Sequence, residues 1–266
     1  MRVHIAEACG FCYGVRRAVE LASTAEKGTH TLGPIIHNPQ LVNSLSARGV
    51  SPVDSLQDVA DGSKVLIRSH GVGPHVYEEA EAKHLDVVDA TCPHVKKAQQ
   101  DARKVINDKK ALIIVGEKDH PEVISISQWG CNRAIIIDKV EEAKEIPYCE
   151  HMGVVVQTTF SQSRFKQIES VLAEKTDDLD VYMTICTATR QRQEAAVELA
   201  KKVDAMIVIG GKNSANTGRL AQVCAEQGCP TYHVETASEL NVADFRGMSD
   251  IGVTAGASTP DWIIQE

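Results

Sequence analysis

The chain has 266 residues, with 28 Lys and Arg against 36 Asp and Glu and a formal net charge of −8. That acidic balance excludes nucleic acid as the main partner, because a phosphate backbone wants a basic face. It leaves room for a small anion held by a local nest of N–H groups and histidines. An apolar share of 43% and a charged share of 24% are those of an ordinary soluble globular protein, long enough for about two domains.

Residues 1–9 read as an N-terminal strand. The first helix pattern starts at Cys12 and carries apolar Val15, Ala18, Val19 and Ala22 at helical spacing as far as Ala25. Thr29–Leu32 reads as a strand and Gly33–Pro39 as a polar loop, followed by helix Gln40–Arg48, a short Val50–Val53 and strand Lys64–Arg68. Ser69-His70-Gly71-Val72, helix Pro74–Lys83 and strand Leu85–Asp89 lead to Cys92. There the pattern restarts: Cys92-Pro93-His94-Val95-Lys96-Lys97-Ala98 matches Cys12-Tyr13-Gly14-Val15-Arg16-Arg17-Ala18 in its Val, its two basic residues and its Ala.

The second round gives a helix, strand Ala111–Val115 and a polar loop from Gly116 through His120-Pro121-Glu122. Strands Ala134–Ile137 and Val154–Gln157, Thr158-Thr159 and helix Ser163–Glu174 complete it. The third opens at Cys186 with a helix through Lys201, then strand Ala205–Ile209 and Gly210–Thr217; strand Ile251–Thr254 ends in Ala255-Gly256-Ala257-Ser258-Thr259-Pro260. From cysteine to loop glycine the distances are 21, 24 and 24 positions, for Cys12–Gly33, Cys92–Gly116 and Cys186–Gly210.

Strands alternating with helices predict parallel βαβ units whose sites lie at the strands' carboxyl ends. The expected fold is α/β, with three similar βαβ units bearing small parallel sheets in a pseudo-threefold arrangement around a central cluster. The expected units are residues 10–92, 93–185 and 186–266, the last with the N-terminal strand 1–9.

Met1–Gly10 lacks the succession of a signal peptide, and apolar runs such as Leu112–Val115 and Met206–Ile209 are too short to span a bilayer. The chain therefore reads as cytoplasmic, with no membrane partner. In that compartment eight cysteines point to metal binding or catalysis for some of them rather than to a disulfide framework.

One cysteine per unit, each at a helix mouth where exposed N–H groups favour a thiolate, describes a metal centre with Cys12, Cys92 and Cys186 as ligands. Three thiolates can hold tetrahedral zinc, but closed zinc sites draw on close pairs, and the distributed spacing favours an iron–sulfur cubane with one open iron. Cys9 would be a fourth ligand only outside the repeat, which it does not match. Cys131, Cys149, Cys224 and Cys229 match no motif and are expected to pack as small apolar residues or to sit idle.

His37, His70 and His120 follow strands, as do Ser214, Asn216 and Ser258 in the third unit, and together they form an anion cradle for a phosphate or diphosphate. Glu122 is the only acid in the set: it is a proton donor, or else a cap on the next helix. Arg16, Arg17, Lys96 and Lys97, close to two of the cysteines, either receive an acidic electron carrier or form solvated helix faces.

The segments Gly10–Val15, Ile36-His37-Asn38, Arg68–Val72, Asp89–Pro93, His120–Val123, Gln157-Thr158-Thr159, Asn213–Asn216 and Ala255–Pro260 resemble, in order, the 4-hydroxy-3-methylbut-2-enyl diphosphate reductase (LytB) family. The resemblance implies a 4Fe-4S cluster on Cys12, Cys92 and Cys186 with one open iron. It implies a diphosphate held by His37, His70, His120, Ser214, Asn216 and Ser258, with Ala215 contributing a backbone N–H where some members have serine. Thr158 and Glu122 would lie near the substrate hydroxyl, so that Glu122, Thr158 and His120 form the catalytic set. The implied reaction is reductive dehydroxylation to isopentenyl and dimethylallyl diphosphate, the last step of the methylerythritol phosphate isoprenoid route, with ferredoxin or flavodoxin as electron donor. Two alternatives stand beside it: a quinolinate-synthase-like iron–sulfur dehydratase and a non-catalytic iron–sulfur sensor or electron carrier. Family members are expected to continue for some tens of residues past the position of Pro260.

Overall fold

The computed structural model describes residues 1–266. In chain order β1 (Arg2–Ile5) and α1 (Tyr13–Ser23) precede β2 (His30–Leu32), α2 (Pro39–Ala47), β3 (Ser51–Val53), β4 (Lys64–Ile67), α3 (Pro74–Ala82) and β5 (Asp86–Asp89). There follow α4 (Pro93–Asn107), β6 (Ala111–Val115), α5 (Pro121–Trp129), β7 (Ile135–Ile137), α6 (Val140–Lys144), β8 (His151–Val156), α7 (Gln162–Ala173) and β9 (Asp178–Tyr182). The final stretch holds α8 (Thr187–Ala200), β10 (Ala205–Ile209), α9 (Ala215–Ala225), β11 (Thr231–Val234), β12 (Asp250–Ala255) and α10 (Asp261–Gln265).

Helix starts follow from local chemistry. Pro74, Pro93 and Pro121 open α3, α4 and α5, where the missing N–H costs nothing and the fixed φ suits the first turn. The loop expected to run from Gly116 through Glu122 is therefore shorter: α5 begins at Pro121 and Glu122 is its second residue.

The strands form three all-parallel four-stranded sheets, ordered β3-β2-β4-β5, β7-β6-β8-β9 and β11-β10-β12-β1. This is the expected α/β class. The three orders share one plan: the first strand after each cysteine helix is internal, the second pairs on one side, the third on the other, and the fourth lies outside the third. In the last sheet the fourth place is taken by β1, from the start of the chain, in parallel register with β12 from Arg2↔Asp250 to Ile5↔Val253.

Parallel strands buried on both faces read as continuous apolar runs. In the second sheet Ile113, Val115, Val154 and Val156 face one core with Phe165 and Ile168, while Leu112, Ile114 and Val155 face another with Ala98, Ala102 and Val105, as period-two alternation requires. Gly153 lets α4 lie flat on this sheet, since a Cβ there would stand 2.4 Å from Val105 Cγ2.

By compactness the chain falls into two units, one comprising Met1–Arg16, Ile36–Ser44 and Cys186–Glu266, the other Arg17–Ile35 and Leu45–Ile185. The sheet containing β1 belongs to the first and the other two sheets to the second. No helix is long and apolar enough to cross a membrane.

Candidate active site

In every sheet the first and third strands are neighbours whose onward connections diverge, and the crevice at their carboxyl ends is the usual place for a ligand in open α/β sheets. The candidate side chains recur there at fixed offsets. β2 ends at Leu32, β6 at Val115 and β10 at Ile209, and His37, His120 and Ser214 are each the fifth residue beyond. β4 ends at Ile67 and β12 at Ala255, and His70 and Ser258 are each the third beyond.

In the larger unit the second sheet supplies a carboxyl. His120 caps α5, its Nδ1 accepting the Glu122 N–H at 3.2 Å. An accepting Nδ1 leaves the other ring nitrogen, Nε2, as an N–H donor. Glu122 is 2% exposed. Its Oε1 accepts the Thr158 N–H at 2.6 Å and its Oε2 meets Thr158 Oγ1 at 2.8 Å. Burial pushes its carboxyl up to about 7, against the pull of the Thr158 bonds and with help from the charge of Glu117. It is thus an acid poised to give up a proton near neutral pH. The His70 ring packs edge-on to that of His120, with centroids 5.4 Å apart.

Beneath these rings lies a polar hub with no counterpart in the sequence reading. Ser125 on α5 directs its hydroxyl to the carbonyls of His70, at 3.0 Å, and Glu122, at 2.9 Å, and accepts from Gln99 Nε2 of α4 at 3.2 Å. Gln99, Glu122 and Ser125 are buried and His70 is half-buried, so the loop of His70, the start of α5 and the helix of Cys92 are tied together.

The three cysteines occupy equivalent positions. Cys92 and Cys186 cap α4 and α8, and Cys12 directly precedes α1. In each case the carbonyl accepts the N–H four residues on, from Arg16, Lys96 and Arg190, at 2.9, 3.0 and 3.1 Å. Cys186 Sγ also receives the Thr189 N–H at 3.3 Å. The turn to Cys92 is set by Asp89, which takes Thr91 N–H at 2.8 Å and Lys96 Nζ at 2.6 Å. Burial works against that carboxylate, but these bonds win and hold it below the usual range.

Three of the four basic residues flanking the cysteines are engaged internally. Lys96 pairs with Asp89, Lys97 with Asp101, and Arg17 Nη2 donates to the Asp89 carbonyl at 3.0 Å. Cys9 packs at the edge of an apolar cluster with Ile209 and Val253, and burial pushes its thiol up. Cys224 and Cys229 are core residues, the Cys224 thiol pushed up to about 12 by burial. Cys149 packs against the second sheet, and Cys131 is exposed.

In the smaller unit Ser214 caps α9 through the Thr217 N–H at 3.3 Å, and Ser258 Oγ lies 3.4 Å from Ser214 Oγ and donates to the His37 carbonyl at 3.1 Å. Ala215 and Asn216 are the first two residues of α9, so Asn216 matches Glu122 of α5 in position. Asn216 is 5% exposed, yet neither its amide nitrogen nor its amide oxygen has a hydrogen-bond partner. A buried amide left in that state is costly in the ligand-free protein, and a polar ligand would satisfy it.

These features define a three-sheet α/β protein with a helix-capping cysteine per repeat and polar groups gathered at the strand ends. The chain belongs to the LytB protein family, which matches it over residues 3–266. It is 47% identical to the 4-hydroxy-3-methylbut-2-enyl diphosphate reductase of Pelobacter propionicus over 100% of this chain and 96% of that protein, and 46% identical to that of Geobacter sulfurreducens over 100% and 95%. The solved structure of the E-1-hydroxy-2-methyl-but-2-enyl-4-diphosphate reductase from Plasmodium falciparum superposes with a TM-score of 0.94 at 27% identity, covering 99% of this chain and 85% of that one. A second, of (E)-4-hydroxy-3-methyl-but-2-enyl diphosphate reductase, the terminal enzyme of the non-mevalonate pathway, gives 0.70 at 43% identity over 100% and 97%. These matches favour neither the quinolinate-synthase-like nor the sensor alternative.

Proposed function

We propose that this protein is a cytoplasmic enzyme that removes the hydroxyl of (E)-4-hydroxy-3-methylbut-2-enyl diphosphate, yielding isopentenyl and dimethylallyl diphosphate as the last step of the methylerythritol phosphate route. The observation that carries the chemistry is Glu122, a buried carboxyl bonded to Thr158 and pushed up to about 7. Two electrons and two protons are consumed for each water released, and Glu122 supplies a proton to the departing oxygen. Thr158 orients that carboxyl, and its hydroxyl can pass the hydrogen bond on to the substrate.

The donor set suits an iron–sulfur centre: three thiols, each at a helix start whose N–H groups favour a thiolate. A 4Fe-4S cluster on Cys12, Cys92 and Cys186 with one open iron would supply single electrons, received from a ferredoxin or flavodoxin, and a Lewis acid for the leaving hydroxyl. His37, His70, His120, Ser214, Asn216, Ser258 and the backbone at Ala215 would hold the diphosphate. Asn216, with both amide ends open in a buried position, and His120, with an N–H at Nε2, are suited to that task. The test is reductant-dependent consumption of the substrate by anaerobically purified protein, with both products identified. No turnover by protein carrying an intact cluster would overturn the reading.

A further inference from the structure

Arg192 lies on α8, 6% exposed, facing inward with Thr189, Gln193, Ala196 and Ala200. Its Nε and Nη2 both donate to one acceptor, the Gly10 carbonyl, at 3.1 and 2.8 Å, and its Nη1 donates to the Ala188 carbonyl at 2.9 Å. Gly10 is two residues before Cys12, and Ala188 two residues after Cys186. One guanidinium therefore grips the backbone beside two of the three helix-capping cysteines.

No carboxylate pairs with Arg192. The acid beside the same loop is Asp261, an exposed residue whose Oδ1 stands 3.4 Å from where a Cβ on Gly10 would be, and it makes no ion pair with the guanidinium. A largely buried cation held by two carbonyl dipoles, with only the Cys9 thiol also within electrostatic reach, is disfavoured unless a negative charge lies close by. Two residues from each grip point stands a thiol, Cys12 or Cys186, that becomes a thiolate on binding metal. A cubane held by three thiolates is anionic, and more so after each electron arrives.

We propose that Arg192 is the positioning and charge-balancing residue of the iron–sulfur centre, holding the Cys12 loop against the start of α8 and supplying the buried positive charge that the anionic cluster answers. The proposal rests on the reading that Cys12, Cys92 and Cys186 bind such a cluster. Two functions follow from one side chain and separate by chemistry. The fork that fits both N–H donors to one carbonyl belongs to arginine alone, whereas the charge is shared with lysine. A fixed cation near the cluster favours its reduced form and raises its potential.

The experiment uses full-length protein reconstituted anaerobically, as wild type, Arg192→Lys and Arg192→Met. It reads iron and sulfide per chain, the rate of iron loss to a chelator, and the midpoint potential from a redox titration followed by electron paramagnetic resonance. Arg192→Met is expected to shift the midpoint to more negative values and to lose iron at least about tenfold faster, the lower end of what removing an outer-shell partner costs. Arg192→Lys is expected to keep the potential near wild type while also losing iron faster, because charge survives and the fork does not. An Arg192→Met midpoint equal to wild type overturns the charge role, and an unchanged loss rate in Arg192→Lys overturns the positioning role. The Lys variant decides the latter even where the Met variant fails to fold. A wild type that binds no four-iron cluster defeats the underlying reading instead, which keeps the two failures distinct.

Discussion

Replacing Glu122 by Gln tests the acid directly, because the amide is nearly isosteric and can keep both Thr158 bonds, its oxygen accepting the N–H and its nitrogen donating to Oγ1. In the folded protein burial raises the carboxyl from 4.5 to about 7. At 1.36 kcal/mol per pH unit the difference is about 3 kcal/mol of pH-dependent stability. A raised folded value fixes the sign: the contribution is fully present below pH 4.5 and is lost as pH rises through about 7. Chemical denaturation of wild type and Glu122→Gln on both sides of that window should therefore show wild type losing up to about 3 kcal/mol more than the variant as pH rises. Subtracting the variant's profile removes every other titrating group. Turnover should fall by about 10²–10⁴-fold in the variant with cluster content unchanged, and wild-type turnover should decline above about pH 7, where the carboxyl has lost its proton. Parallel stability profiles, or a variant turning over at the normal rate, would refute the assignment.

Asn216→Ala removes a buried amide that has no partner in the ligand-free protein. Thermal unfolding should show the substrate-free variant about 1 kcal/mol more stable while KM rises; a destabilised variant would mean that the amide is satisfied. Ser125→Ala strands Gln99 Nε2 and takes the hydroxyl from the His70 and Glu122 carbonyls. It should cost about 1–3 kcal/mol and weaken inorganic diphosphate binding, measured by calorimetry, whereas unaltered binding would confine Ser125 to a structural role. Iron per chain should survive Cys9→Ser and collapse for Cys12→Ser, Cys92→Ser or Cys186→Ser; loss of iron in Cys9→Ser would make Cys9 a fourth ligand.

The sequence reading reached furthest where burial is complete. β6 and β10 were legible to the residue because Ala111–Val115 and Ala205–Ile209 are apolar runs covered on both faces. β9 and β11 were not legible: they are edge strands, half-buried, and carry Asp178, Asp180 and His233, whose polar partners lie in neighbouring segments such as Lys110. The helix α5 was hidden behind a loop pattern although Pro121 marked its start. Among site residues Glu122 stood out as the lone acid, but its bond to Thr158 spans 36 positions, beyond any local pattern. Gln99 and Arg192 look like ordinary helix-surface residues in a list. Their signal is phase: Gln99 sits with Val95, Ala98 and Ala102 on the apolar stripe of α4, and Arg192 with Thr189 and Ala196 on that of α8. A polar residue on a buried stripe requires a partner: for Gln99 it is Ser125 on α5, and for Arg192 the Gly10 carbonyl in the loop before Cys12.

The same sheet plan explains why the Arg192 clamp stands where it does. In each sheet the fourth strand delivers the chain to a cysteine, β5 ending at Asp89 three residues before Cys92 and β9 at Tyr182 four before Cys186. β1 ends at Ile5, seven before Cys12, so this cysteine hangs on the longest tether. Its strand is also the least anchored: β1 is exposed throughout, pairs only with β12, and is pinned at its far end by Arg2 and His4 to Asp250. Exposed ion pairs contribute little. The tether is instead fixed near the cysteine, by Gly10 N–H to the Ala255 carbonyl, Cys12 N–H to the Ala257 carbonyl, and the guanidinium of Arg192 on the Gly10 carbonyl. The repeat that supplies its fourth strand from the opposite end of the chain is the one that needs a buried arginine to hold its cysteine in place.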